Sequence, residues 1–211
     1  MNVTSVDWLP SVFIGLMGLS FLIYAILDGY DLGVGVLLPL DKPQQRDTMI
    51  YSIGPFWDAN ETWLVMAIGL LLIAFPKAHS IIFQALYLPT ALMLAGLILR
   101  GVSFDFRTKA PSTDKHKWDY AFKFGSLLAT LTQGYMLGRY ITSFEDSWLS
   151  IGFSALSAIC VTAGYCFIGA AWLVMKTEGE LQRRAANWAK ITNVLMAVGI
   201  IAVCLTNLLI D

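Results

Sequence analysis

The chain has 211 residues, of which 57% are apolar and 14% charged, with a mean hydropathy of +0.65. A soluble domain of this length carries about 25% charged residues, so the composition excludes an ordinary soluble domain and indicates one all-α, polytopic membrane bundle. A net charge of −1 offers nothing to nucleic acid.

Spans are expected near 8–27, 58–76, 81–99, 122–140, 149–175 and 190–210. Crossing a hydrocarbon layer of roughly 30 Å takes about 20 helical residues. The first uncharged run, 8–27, is long enough and ends at Asp28, inside ILDGYDLGVG. It has no basic leader or small-residue cleavage site, so no removable signal is expected. The second uncharged run, 62–76, is too short alone, and its helix must extend into Asp58, Asn60 and Glu61 or into Lys77. The third, 81–99, stops at Arg100 and leaves 101–122 as a polar loop, the one loop with room for structure of its own. The fourth, 124–138, is again short, closed by Lys123 and Arg139, and the last two runs are long enough.

Twelve of the fourteen basic residues fall in the odd loops: Lys42, Arg46, Arg100, Arg107, Lys109, Lys115, Lys117, Lys123, Lys176, Arg183, Arg184 and Lys190. Lys77 and Arg139 alone fall in the even ones. The positive-inside rule puts the odd loops in the cytoplasm and the N-terminus outside. Trp8, Trp57, Trp63, Trp118, Trp148, Trp172 and Trp188 all fall near expected helix ends, where an aromatic belt belongs. Gly29 and Gly33, and Gly134 and Gly138, are four apart, a spacing that lets membrane helices approach closely.

The acids gather at the basic ends of the first three spans. Asp28 and Asp31 end the first, Asp58 and Glu61 open the second in IGPFWDANETWLV, and Asp105 follows the third in LRGVSFDFR. Residues three apart share a helix face. These carboxylates are either solvated helix ends, favoured by the helix dipole where they open a helix, or groups at membrane depth lining a proton route. Arg100 either snorkels to the headgroups or pairs with Asp58 or Asp105. Cys160, Cys166 and Cys204 lie in apolar runs and read as small packing residues. His79 lies in a tight outer turn and His116 in the basic inner loop, neither mid-span, and no Cys, His and acid cluster has metal spacing. No catalytic residue and no resident haem or metal is therefore expected in this chain.

DGYDLGVGVLLP, IGPFWDANETWLV, LRGVSFDFR and GAAWLVMKTEGELQRRA together resemble subunit II of cytochrome bd-type quinol oxidases, in the family's order and from residue 1 to about 190. GPFWDANETWLV is similar to the cyanide-insensitive branch. The resemblance implies a haem-free subunit in the bacterial inner membrane, stabilising a subunit I that binds haem b and haem d, oxidises quinol and reduces dioxygen to water. It implies that Asp58, the acid of the WDxN motif, lies on a proton route from the cytoplasm, and that Arg100, Asp105 and Asp31 match family positions. Membrane lipid, a quinone and a small accessory subunit are further partners the family suggests. Family members are longer, with further helices after the sixth, so the chain is expected to be a shortened version, a fragment or one half of a split subunit. Two other readings remain: a small ion-coupled transporter, for which no inverted repeat is found, and a purely structural or assembly subunit.

Overall fold

The structure is a computed structural model that describes residues 8–111 and 113–210, the last four of these by backbone alone. The N-terminus itself, whose side of the membrane was inferred from the basic residues, lies outside the described residues, as does Asp211. Among the described residues there are eight helices: α1 (Leu9–Leu37), α2 (Pro43–Ile53), α3 (Trp57–Ala74), α4 (Pro76–Ala85), α5 (Tyr87–Lys109), α6 (Lys115–Ile141), α7 (Trp148–Lys176) and α8 (Gly179–Ile210).

Local chemistry sets several of the boundaries. Proline stands in the first turn of α1, α2 and α4, where its missing N–H is not needed. Ser147 caps α7, its hydroxyl accepting from the Ser150 amide at 3.1 Å. Gly179, at φ +68°, reverses the chain between α7 and α8 in a conformation that side chains resist. At the opposite end, Ser143 and Phe144 also have positive φ. Arg139 holds that turn, donating to the Phe144 and Glu145 carbonyls at 2.8 and 2.7 Å and to Asp146 at 2.7 Å.

Five helices, α1, α3, α5, α7 and α8, are long and apolar enough to cross a membrane. The sixth long helix, α6, has 27 residues but begins KHKWDYAFK. Most of that polarity stays exposed at the helix start, as His116 and Lys117 do, and the rest of α6 packs against α1, α5 and α7, while α3 packs on α1 and α8 on α7. Antiparallel contacts join α5 to α6 (Thr90 with Met136, Arg107 with Asp119) and α6 to α7 (Thr130 with Thr162). Glycines set the closeness. A Cβ on Gly134 would stand 2.6 Å from Ala158 Cα, and one on Gly169 2.6 Å from the Gly33 carbonyl carbon. Both expected glycine pairs therefore face α7, as small-residue packing in membranes requires.

Two expectations need correction. The third span does not begin at 81 and end at 99. Pro76 starts a separate ten-residue helix, α4, and the spanning helix is α5, Tyr87–Lys109. Nor is 101–122 a loop. Helix α5 continues through Arg100, Asp105 and Arg107 because two of these find buried acidic partners, and only 110–114 connects it to α6. The segment after α1 also holds a helix that no apolar run announced. Helix α2 buries Met49, Ile50 and Ile53 against Tyr30, Val34, Leu38, Phe122 and Leu173 at the basic end.

Candidate functional site

Helix α1 places Asp28 and Asp31 on its inner face, and both are fully buried. From α5, Arg100 Nη2 donates to Asp28 Oδ1 at 2.5 Å, both side chains being wholly enclosed. From α3, the amide of Asn60 donates to Asp31 Oδ2 and to the Tyr30 hydroxyl, each at 2.8 Å. The Trp57 ring lies 5.7 Å from the Arg100 guanidinium, a cation–π contact that covers the charge. Three helices distant in sequence therefore close on one pair of carboxylates. The expected partners of Arg100 were Asp58 and Asp105, and it meets Asp28 instead, because its side chain turns into the bundle while those two acids stay on the surface.

The other candidates lie around this centre. Glu61, next to Asn60 on α3, is half-buried, and Asp58, one turn nearer the helix start, is exposed. Asp105 is exposed on α5, five residues beyond Arg100. The structure thus brings Asp28, Asp31 and Arg100 into one cluster, sets Glu61 beside it, and leaves Asp58 and Asp105 on the outer faces.

Several polar residues in the interior were not singled out from the sequence. One turn before Asp28 on α1, the Tyr24 hydroxyl accepts from Gln133 Nε2 at 2.7 Å, and Tyr165 donates to Gln133 Oε1 at 2.9 Å. Thr162 donates to Thr130 at 3.2 Å further along α6 and α7. A polar residue inside an apolar run at membrane depth was the available signal for Gln133. At the basic end a second cluster forms. Asp119 is fully buried between Arg107, which bonds it through Nε, and Arg46, whose Nε lies 2.9 Å from Asp119 Oδ2. Arg107 also bonds Asp47, and Arg46 donates to the Leu40 carbonyl at 3.2 Å. This cluster ties α2, α5 and α6 together, and no sequence pattern distinguishes its acids from solvated loop charges.

The chemistry available at the first cluster follows from its count of charges and bonds. One guanidinium faces two carboxylates. Asp28 Oδ2, Asp31 Oδ1, Arg100 Nε and Arg100 Nη1 are buried without a hydrogen-bond partner among the described residues. Buried polar atoms need partners, so these four have capacity for bonds beyond those the chain makes. A carboxylate pair with that spare capacity can hold or pass a proton.

Among the described residues no group of three or more His, Cys, Asp or Glu side chains could hold a metal ion. His79 stacks on Phe83 at 4.4 Å within α4, and His116 is exposed at the start of α6. Both histidines stand outside the bundle interior. The three cysteines are free.

The model of one protein family, described as cytochrome bd terminal oxidase subunit II, matches residues 9–210. The chain is 32% identical over 200 residues to the Escherichia coli (strain K12) cytochrome bd-I ubiquinol oxidase subunit 2, covering 87% of this chain and 53% of that protein. It is 29% identical over 193 residues to the Bacillus subtilis (strain 168) cytochrome bd ubiquinol oxidase subunit 2, covering 83% and 56%. It is 28% identical over 211 residues to a probable cytochrome oxidase subunit 2 of Haemophilus influenzae, covering 92% and 54%. The chain thus spans about half the length of these curated relatives. An all-helical membrane bundle with DGYD, WDAN and the arginine of α5 meeting at one buried centre, matched by the family model almost from end to end, belongs to the cytochrome bd terminal oxidase subunit II family.

Proposed function

We propose that this chain works as subunit II of a quinol-oxidising, dioxygen-reducing terminal oxidase in a bacterial inner membrane, with its N-terminus outside. In this reading it carries no haem. It stabilises a haem-bearing subunit I and helps deliver cytoplasmic protons toward the site where dioxygen becomes water. The order of the acids supports the proton role. Asp58 is exposed at the start of α3, Glu61 is half-buried one turn on, and Asp28 and Asp31 are fully buried beside Arg100. Carboxylates graded from surface to interior, with unmatched bonding capacity at the buried end, suit stepwise transfer. Asp105, exposed on α5, offers a second surface acid near the same centre. Haem b and haem d reside in the partner, where the oxygen chemistry occurs.

Asp58→Asn tests the route. Asp58 is exposed and accepts no hydrogen bond from another side chain among the described residues, so stability should change by less than about 0.5 kcal/mol. Quinol-driven oxygen uptake of the purified complex is expected to fall severalfold, with the reduced-minus-oxidised haem spectrum unaltered. Unchanged turnover would remove Asp58 from the proton route and leave the chain a structural partner. One observation favours that second reading: the Asp28–Arg100 pair is sealed on both sides, as a purely structural ion pair would be.

A further inference from the structure

At the basic end, the last turn of α1 and the chain after it leave an open recess of about 420 Å³ against α6 and α8. Its lining is of two kinds. Leu37, Leu38 and Trp188 are apolar, and Lys123 and Arg184 bring two cations to it. Neither cation is a free surface charge. Lys123 is half-buried, and its Nζ donates to the Leu38 carbonyl at 2.9 Å. That bond uses one of three ammonium hydrogens and holds the charge at the wall. The Arg184 guanidinium stacks 4.9 Å from the centre of the Trp188 ring and donates to Gln45 Oε1 at 3.0 Å. The acid at the rim, Asp41, is 68% exposed and approaches Arg184 only to 3.9 Å, a contact of little energy in solvent. Two positioned cations thus outnumber one loosely placed carboxylate.

The surface next to the recess settles which anion fits. On α8, Trp188 is followed at helical spacing by Ile191, Leu195 and Val198, all three exposed. An apolar stripe therefore leads from the recess along the spanning helix. A free phosphate has no use for such a stripe, and an amphiphile does. We infer that the recess formed by α1, α6 and α8 is a binding site for one anionic phospholipid, its phosphate held by Lys123 and Arg184 and its acyl chains laid along the Trp188–Val198 face of α8. Basic pockets between membrane helices at the interface recognise anionic headgroups in this way. Ordinary snorkelling would leave both cations mobile in the headgroup layer, whereas a carbonyl and a tryptophan ring fix them here. The inference stands on membrane placement alone and does not depend on the oxidase reading.

The test uses the full chain, with any subunit that co-purifies, stripped of lipid in mild detergent. Phosphatidylglycerol, phosphatidylcholine and inorganic phosphate are titrated separately, following affinity and the unfolding midpoint. Phosphatidylglycerol is expected to bind and raise the midpoint, and the other two to do neither. Taking about 1 kcal/mol per basic residue near a lipid surface, Lys123→Gln and Arg184→Gln should each weaken phosphatidylglycerol about fivefold, and together roughly twenty-five-fold. Each single variant stands alone if the pair does not fold, and Lys123→Arg should retain binding. Arg183→Gln removes an exposed charge beside the recess and should change nothing. Equal binding of phosphatidylcholine, or an equal loss in Arg183→Gln, would overturn the site in favour of general interfacial attraction. A response to phosphate matching that to phosphatidylglycerol would overturn the lipid assignment.

Discussion

Asp28 and Asp119 are both fully buried carboxylates facing arginine, yet their surroundings differ. Asp119, at the basic end, has a guanidinium opposite each oxygen, and the two arginines reach on to Asp47 and to the Leu40 carbonyl. Charge there is balanced, two arginines against Asp119 and Asp47, although Arg46 Nε and Asp119 Oδ2 complete no hydrogen bond, and the result is a tie between α2, α5 and α6. Asp28, deeper in the bundle, has one arginine through one oxygen, shares that arginine's field with Asp31, and leaves four polar atoms of the group unmatched. Where each acid has a cation of its own the contact is a clamp. Incomplete matching keeps bonding capacity for a proton or for water, and a chain retains it at membrane depth only at considerable energetic cost.

Breaking the deeper pair should have the largest effect. Arg100→Leu leaves Asp28 buried without its cation, and a loss of about 3–5 kcal/mol is expected, read from the unfolding midpoint in detergent. A midpoint within error of the parent would mean water already solvates the pair. Replacing both, Asp28→Leu with Arg100→Met, should recover most of that stability, since a buried ion pair exchanged for apolar side chains is often close to neutral. If oxygen uptake recovers too, the cluster is a clamp like the other one. If stability returns without turnover, the two clusters differ in function as well as in bonding. Asp119→Asn comes next, at about 2 kcal/mol, because the buried carboxylate accepts a charge-assisted bond from Arg107 and faces Arg46 as an ion pair. Asp47→Asn should be the smallest, about 0.5 kcal/mol, since Asp47 is 45% exposed and its pairing is screened. A loss of comparable size at Asp47 and Asp119 would contradict a network anchored at its buried end.

Much of the fold was legible because periodic apolar runs and charge breaks report membrane helices directly. The helix at Trp57 extends the short run 62–76 on its acidic side, one of the two extensions open to it, and Gly33 and Gly134 sit at close helix contacts as their spacing implied. The misplaced end of the third span has a clear cause. Arg100 and Arg107 were taken as boundary charges, but each is neutralised by an acid from another helix, so α5 runs through them to Lys109. Helix α2 escaped notice because its buried face, Met49, Ile50 and Ile53, is too short to stand out in a polar segment.

By itself the sequence determined the class of protein, the approximate spans, the end of the bundle that holds the acids, and, through long loop motifs, the family resemblance. Those are local properties, written in composition, hydropathy and residue order. Only the tertiary structure decided that Arg100 meets Asp28 across 72 residues of sequence, that Asn60 meets Asp31, and that α6 packs between α5 and α7. Pairings of that kind depend on which helices are neighbours and at what depth each side chain lies. A buried charge is stable only beside its partner, and no stretch of either helix records where that partner will be.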